Sequence, residues 1–229
     1  MRGCQKFDSR VSGPAGVACP QLGVRPRDSK QTPPPRAAYN QDMSNARKLI
    51  HPRSTSLVVI DLQEKLVPAI HGNEEVLANT QKLLRLAKTL HLKTLVTTQY
   101  RKGLGEIVPG IRQMLDGIEP LDKVCFGCLG DDSIRAKLAE NVPVGSALLV
   151  AGVESHICVM QTALGALDQG YDVHVVSDAI SSRSPANHAL GIERMRDAGA
   201  VISSTEMAIY ELLGNSSRPE FKQMLPYLK

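Results

Sequence analysis

Three short segments of this chain each end an apolar run with one reactive side chain. The segments are residues 57–63, 121–126 and 151–163. They carry Asp61, Lys123 and Cys158, which are a carboxylate, an ammonium and a thiol. Together these groups supply a general base, a fixed cation and a nucleophile. This is the set that cysteine-based acyl transfer requires.

The elements that must position these side chains follow from hydrophobic periodicity. Short apolar runs predict strands over residues 57–61, 94–98, 121–125, 147–151, 171–176 and 200–203. Helical spacing predicts helices over residues 75–90, 133–140, 156–169, 186–198 and 207–213. Such alternation is typical of a parallel sheet covered on both faces, in a three-layer α/β/α sandwich. Ligands bind such sheets at the carboxyl ends of the strands, where Asp61, Lys123 and Cys158 are expected to converge.

The order of these residues carries a family resemblance. Asp61, Lys123 and Cys158 resemble the catalytic triad of the isochorismatase-like cysteine hydrolases. The stretches TTQYRKGLGEIVPGI, GVESHICVMQTAL and GYDVHVVSDAISSRS are most similar to isochorismatase domain-containing proteins. The resemblance implies an isochorismatase-like (Rossmann-like) fold with six parallel strands in the order 3-2-1-4-5-6. It also implies a cis peptide bond between Val153 and Glu154.

The resemblance suggests a mechanism for a metal-independent hydrolase of small carbonyl or amide compounds. Asp61 takes the proton of Cys158, and the backbone N–H groups of Glu154 and Cys158 stabilise the oxyanion. We expect the N-terminus of the helix over residues 156–169 to lower the pKa of the Cys158 thiol. By resemblance, Gln99, Tyr100 and Phe126 line the substrate pocket. The alternative is a non-catalytic interaction protein that has kept the fold and the three residues.

No metal and no other cofactor are expected. The metal-dependent nicotinamidase branch of the family follows its second strand with an Asp and His cluster. The corresponding stretch here is TTQYRKGLG, which contains neither residue. A zinc site built on Cys125 and Cys128 would need a second cysteine pair, which the sequence lacks.

Other polar residues near these segments have alternative interpretations. Cys125 and Cys128 are expected to be half-buried core cysteines. If residues 121–125 form a strand, however, Cys125 shares a face with Lys123 and could respond to oxidation at the pocket. His156 is a competing candidate for the base, or else an orienting residue. Asp178 is expected at a turn or between subunits. Ser181, Ser182 and Ser184 carry no chemistry that the sequence identifies.

Residues 1–53 differ from the rest of the chain and are expected to form a disordered, basic, proline-rich extension before a hydrolase domain at 54–229. They hold ten of the 27 Lys and Arg residues, three of the 23 Asp and Glu residues and seven of the 14 prolines. They show no apolar periodicity. Their arginines leave open an organellar transit peptide.

Composition bounds location and partners. Residues 54–229 hold 17 basic and 20 acidic residues, which argues against a nucleic-acid partner. No apolar run is long enough for a membrane span. Five irregularly spaced cysteines fit a reducing compartment, so we expect a cytoplasmic protein, or a mitochondrial one if the extension is a transit peptide. The resemblance implies a homo-oligomer, for which Met207, Ile209, Leu212 and Leu213 offer apolar contacts.

Overall fold

The structure, a computed structural model, describes residues 49–228. Most of the expected extension, including Cys4 and Cys19, lies outside the described residues. Ile50 lies within the expected extension, yet its side chain is buried in the core and its N–H donates to Glu211 Oε2 at 3.3 Å. Core packing therefore begins before residue 54. Among residues 49–228, no helix is long and apolar enough to cross a membrane.

Six parallel strands form a single sheet in the order β3-β2-β1-β4-β5-β6, as the family resemblance implied. The strands are β1 Thr55–Ile60, β2 Lys93–Gln99, β3 Leu121–Lys123, β4 Ala147–Val153, β5 Asp172–Ser181 and β6 Val201–Ser203. All residues of β1 and β4, the two central strands, are buried. Their continuous apolar runs suit a sheet that is covered on both faces.

Helices connect the strands and cover the sheet. They are α1 Asn73–Leu90, α2 Arg101–Leu104, α3 Pro109–Arg112, α4 Asp132–Asn141, α5 Met160–Asp168, α6 Pro185–Asp197, α7 Thr205–Leu213 and α8 Pro219–Met224. One face of the sheet packs with α1, α7 and α8, and the other packs with α4, α5 and α6. Alternate residues of β1 serve the two faces: Leu57 belongs to the first core and Val58 to the second. The result is the expected three-layer sandwich.

The structure differs from the sequence expectations mainly near the carboxyl edge of the sheet. β3 ends at Lys123, so the expected strand over residues 121–125 is too long by two residues. The helix expected over residues 156–169 begins instead with a wide π-helical turn, Ser155–Val159, before α5. β5 continues to Ser181, with an irregularity in its pairing to β4. Helix α8 was not predicted, because its six residues are too few to show a period.

Gly152 fixes the approach of β4 to β1 directly before the site. Its φ is +116°, and a Cβ built there would lie 2.1 Å from the Ile60 carbonyl oxygen. Real Cβ atoms do not come so close to a backbone oxygen. Since Ile60 immediately precedes Asp61, the same contact sets the position of that carboxylate.

Gly152→Ala is expected to destabilise the protein strongly. The positive φ costs about 1–2 kcal/mol for a residue with a Cβ, and the clash with a fixed backbone adds about 1–3 kcal/mol. Gly145→Ala is the matched control, because its φ is +85° but no atom lies within 4 Å of the added Cβ. Urea unfolding should show a clearly larger loss of unfolding free energy for Gly152→Ala than for Gly145→Ala. Equal losses would mean that the contact with β1 is unimportant.

Candidate active site

Asp61 is the first residue after β1, at the carboxyl edge of the sheet. Its backbone has a φ of +52°, a conformation that Asp adopts more readily than most residues. Its N–H donates to the carbonyl oxygen of Thr97 at 3.2 Å, and its Oδ1 accepts from Thr97 Oγ1 at 2.8 Å. Strand β2 therefore holds both the backbone and the side chain of Asp61.

Lys123 ends β3 and forms a buried ion pair with Asp61. Its Nζ lies 2.6 Å from Asp61 Oδ2, and both side chains have no exposed surface. Burial raises the pKa of Asp61, while the Lys123 ammonium opposes this shift by charge and by a hydrogen bond. Each oxygen of the Asp61 carboxylate thus has a donor, one from Thr97 and one from Lys123.

Gln99 and Gln63 fix the Lys123 ammonium in turn. Lys123 Nζ donates a second hydrogen bond to Gln99 Oε1 at 2.8 Å, and Gln99 Nε2 donates to the Val124 carbonyl at 2.9 Å. Gln63 binds the backbone of Gln99 from the other side, accepting from its N–H at 2.7 Å and donating to its carbonyl at 3.1 Å. The buried pair is therefore held by Gln99 on β2, which is itself held by Gln63 in the segment after β1.

Cys158 lies in the wide turn Ser155–Val159, between β4 and α5, and its side chain is 6% exposed. Its thiol lies close enough to Asp61 to affect the pKa of that carboxyl group, and the Asp61 charge acts in turn on the thiol. The structure thus brings together Asp61, Lys123 and Cys158 from three separate strand ends. At this edge a thiol, a carboxylate and a cation are in mutual reach.

The expectation that the helix N-terminus lowers the pKa of Cys158 is wrong for the resting protein. Burial of the thiol, followed by the charge of the Asp61 carboxylate, raises the pKa of Cys158 to about 12, despite the attraction of Lys123. Desolvation disfavours the charged thiolate more than the end of one wide helical turn favours it. Cys158 therefore rests as a thiol.

The turn before Cys158 has the backbone features expected from the resemblance. The peptide bond between Val153 and Glu154 is cis. Both residues are buried, and the Glu154 carboxylate accepts from the backbone N–H of Arg183 at 2.9 Å and from its Nε at 3.1 Å. Arg183 is mostly exposed, so one end of this ion pair faces solvent.

The three residues expected to line a pocket have different surroundings. Gln99 is buried and bound to Lys123, so its side chain serves the ion pair. Tyr100 and Phe126 are 52% and 54% exposed. They lie on the segments that directly follow β2 and β3, at the same edge of the sheet as Asp61.

The two cysteines of the C-x-x-C motif differ in burial and in their distance from the site. Because β3 ends at Lys123, Cys125 is not on a strand; its thiol is partly exposed and lies 3.3 Å from the Gly130 carbonyl. Cys128 is buried, and its Sγ lies 3.9 Å from Thr97 Oγ1, the hydroxyl that binds Asp61. Cys128 is therefore the cysteine beside the site.

Sequence reasoning did not place Thr97, Gln63 and Cys128 at the site. One signal was available for part of this set: Thr97 and Gln99 are two residues apart on a strand, so they share a face. A pair of polar residues on one face of a buried strand indicates polar partners inside the protein. Gln63 and Cys128 follow strand ends in irregular segments, for which periodicity gives no signal.

Other expectations are settled by hydrogen bonds and burial. His156 Nδ1 is 2.8 Å from Ser182 Oγ, which favours an orienting role over that of a base for Cys158. Asp178 lies on β5 rather than at a turn, and its Oδ1 accepts from the Thr205 N–H and hydroxyl at the start of α7, while its expected place between subunits stays a prediction. Ile209, Leu212 and Leu213 are buried in the core, so only Met207 of the four expected contact residues is exposed.

Across residues 49–228, no group of three or more His, Cys, Asp or Glu side chains is arranged to hold a metal ion. The prediction of a metal-independent site stays a prediction.

Comparison with known proteins agrees with this geometry. The family model for the isochorismatase domain matches residues 55–207, which include all three strand ends of the site. The chain belongs to the isochorismatase family. The match spans two thirds of the protein and ends within α7.

Individual members of the isochorismatase family resemble most of this chain. A secreted isochorismatase effector of Phytophthora sojae is 38% identical over 196 residues, which cover 84% of this chain and 92% of that protein. Isochorismatase domain-containing protein 2 of Xenopus laevis is 35% identical over 184 residues, which cover 80% and 88%. The solved structure of a MAR1 ribonuclease from Caenorhabditis elegans is 34% identical, with a TM-score of 0.73 and coverage of 79% and 92%.

A double-mutant cycle is expected to show strong coupling between Asp61 and Lys123 in this isochorismatase-family protein. Lys123→Met or Asp61→Asn alone leaves one buried charge without its partner, at a cost of about 3–5 kcal/mol. The double variant removes both charges, so its loss of unfolding free energy should be well below the sum of the losses in the two single variants. Urea unfolding measures all three. Lys88→Met breaks an exposed ion pair with Asp116 and should cost less than about 1 kcal/mol. Additive losses at Asp61 and Lys123 would contradict the buried pair.

The rate at which iodoacetamide alkylates Cys158 is expected to rise steeply with pH. Because the pKa of the thiol is about 12, the thiolate fraction grows about tenfold per pH unit below that value. Peptide mass spectrometry on the full chain resolves Cys158 from the other cysteines. A rate that levels off near neutral pH would show that the resting thiol is instead already ionised.

Proposed function

We propose that this isochorismatase-family protein is a metal-independent cysteine hydrolase of small carbonyl or amide compounds. The observation that carries the proposal is the position of the Cys158 thiol beside the buried ion pair of Asp61 and Lys123. A buried ion pair is a poor source of stability, because desolvation offsets much of its attraction. A buried cation, carboxylate and thiol at the carboxyl edge of a parallel sheet are therefore best explained by chemistry.

The first step joins proton transfer to attack on the substrate. Cys158 Sγ forms a bond to the carbonyl carbon while its proton moves to Asp61, and the electron pair of the C=O bond moves to oxygen. A thiol with a pKa of about 12 cannot act as a free thiolate near neutral pH. The proton must leave as the bond forms, and the raised pKa of Asp61 makes this carboxylate a stronger base than an exposed one.

Lys123 keeps Asp61 in the state that this step needs. Burial alone would favour the protonated carboxyl, which cannot accept a proton. The ammonium at 2.6 Å opposes that tendency and leaves the carboxylate ionised. Thr97 binds the other oxygen, so the carboxylate can turn little about its Cα–Cβ bond.

The reaction is completed by hydrolysis of a thioester. The N–H groups of Glu154 and Cys158 stabilise the oxyanion until the leaving group departs with the proton from Asp61. Asp61 then takes a proton from water, which attacks the thioester carbon. The products are a carboxylic acid and the Cys158 thiol, and no metal or redox step is needed.

The competing interpretations predict different outcomes for one experiment. The full chain is incubated with a panel of small amides and esters and with RNA, and mass spectrometry follows both products and adducts. The proposal expects turnover of a small compound and an acyl adduct on Cys158. An interaction protein would give neither. The Caenorhabditis elegans relative is described as a ribonuclease, but the excess of acidic over basic residues in residues 54–229 favours an uncharged or small substrate, so RNA should stay intact.

Variants assign the activity to the site. Cys158→Ser should abolish turnover and adduct, since a serine hydroxyl is a far weaker nucleophile beside the same base. Lys123→Met should lower kcat by about 100-fold or more and move the acid limb of the pH profile to higher pH. This follows because loss of the cation raises the pKa of Asp61, which must be ionised to act. Lys102→Met, on the exposed helix α2, is the control. An unchanged pH profile in Lys123→Met would contradict the role of the pair.

The remaining predictions concern assembly and location. We propose a homo-oligomer, supported now by the exposed apolar side chains of Val124, Phe126 and Leu190 rather than by helix α7. The cytoplasmic location, the mitochondrial alternative and the absence of a nucleic-acid partner stay as predicted from the sequence.

A further inference from the structure

Four polar side chains form a continuous line that links the turn carrying Cys158 to the segments packed against it. We call it the serine–histidine chain, and in spatial order its members are His156, Ser182, Ser155 and His188. His156 Nδ1 is 2.8 Å from Ser182 Oγ, the two serine oxygens are 2.5 Å apart, and Ser155 Oγ is 3.1 Å from His188 Nδ1. Both serines are fully buried. None of these side chains takes part in the proposed hydrolysis.

Counting hydrogens restricts the protonation of this chain. Its three contacts need three hydrogens, and the two hydroxyl groups supply two. The third must come from the Nδ1 of one histidine. If neither Nδ1 is protonated, one of the three contacts has no hydrogen. If both are protonated, one hydroxyl hydrogen is left without a partner in a buried place. The chain is complete only when one Nδ1 donates and the other accepts.

Asn187 favours one direction of the chain. Its Nδ2 lies 3.4 Å from His156 Nε2, and this contact is a hydrogen bond when Nε2 accepts and the proton of His156 sits on Nδ1. His156 then donates to Ser182, Ser182 to Ser155, and Ser155 to His188. His188 must be neutral with an unprotonated Nδ1. Burial lowers the pKa of His188, and the nearby His71 lowers it further.

The chain connects the Cys158 turn to the segment that packs against it. Ser155 and His156 belong to the turn, whereas Ser182 follows β5 and His188 lies on α6. The packing is close, since a Cβ at Gly191 of α6 would lie 3.0 Å from His156 Cα. The other titratable groups beside the chain are His71 and the ion pair of Glu154 with Arg183.

We propose that the serine–histidine chain positions the Cys158 turn, and that its hold on the turn weakens when His188 gains a proton. A proton on His188 Nδ1 places two donors face to face at Ser155 and leaves four hydrogens for three contacts. The chain then breaks within the buried part of the turn, or it reverses, which moves the proton of His156 to Nε2 and gives up the hydrogen bond from Asn187. The chain itself is independent of the proposed hydrolysis, but its effect on catalysis rests on that function. Ser155, Ser182, His156 and His188 are thus positioning residues, not catalytic ones.

Imidazole nitrogen NMR of the full chain tests the direction. At neutral pH, His156 is expected to carry a proton on Nδ1, and His188 is expected as the neutral Nε2–H tautomer. Ser182→Ala should remove the Nδ1–H preference of His156, whereas Ser203→Ala, at a buried serine of β6 outside the chain, should not. A charged His188 at neutral pH, or the same tautomer for both histidines, would overturn the proposal.

Amide hydrogen exchange tests positioning without a substrate. Protection of the turn Ser155–Val159, corrected for the intrinsic effect of pH, should fall about tenfold or more as the pH drops from about 7.5 to below about 6, because the pKa of His188 is lowered and this residue becomes charged only below the usual histidine range. His188→Asn offers an acceptor close to the Nδ1 position that does not titrate, so its protection should not fall. His188→Leu should already be poorly protected at the higher pH. Equal pH dependence in the wild type and His188→Asn would overturn the proposal.

Activity separates this inference from the proposed function. If a substrate is found, Ser182→Ala should lower kcat about tenfold with little change in KM, since the thiol is misplaced but the substrate surface is kept. An unchanged kcat in Ser182→Ala would overturn the positioning role and leave the hydrolase intact. If no substrate is turned over, the hydrolase proposal fails, while NMR and exchange still decide for or against the chain.

Discussion

The buried ion pair of Asp61 and Lys123 is the interaction on which the rest of the site depends. Asp61 directly follows β1 and Lys123 ends β3. These two strands are not neighbours, because β2 lies between them. The pair therefore forms only if the strand order and the registers of both pairings are correct. Taking the two charges out of water costs several kcal/mol each, roughly. The hydrogen bonds from Thr97 and to Gln99 help to offset that cost, so β2 serves as a polar bridge inside an apolar sheet.

This dependence explains which features could be predicted from the sequence. Apolar runs and helical spacing were enough for the sandwich, since they reflect burial on two faces and report nothing finer. The strand order came from the family resemblance. The meeting of Asp61, Lys123 and Cys158 followed from the rule that ligands bind at the carboxyl ends of parallel strands. The end of β3 at Lys123 was not predictable, because Val124 and Cys125 continue the apolar pattern although the chain has left the sheet.

The features that sequence reasoning missed depend on close contacts in three dimensions. The pKa of Cys158 is set mainly by burial and by a carboxylate from another strand, neither of which a local helix pattern reveals. No sequence pattern marks Ser155, Ser182 and His188. They form a chain only because β5 extends to Ser181 and α6 packs closely on the turn. Late apolar residues such as Ile209 were assigned to subunit contacts because the sequence does not show that α7 covers the sheet.

Burial has opposite consequences for the two groups that would exchange a proton. It raises the pKa of Asp61, which makes the carboxylate a better base, and it raises the pKa of Cys158, which makes the thiol a poorer acid. Neither group would react rapidly alone near neutral pH. Reaction requires the thiol to sit where its proton can pass to Asp61 while sulfur reaches the substrate. In the proposed hydrolysis, reactivity is therefore a matter of position more than of acidity, and we propose that the ion pair provides this position on one side of Cys158 and the serine–histidine chain on the other.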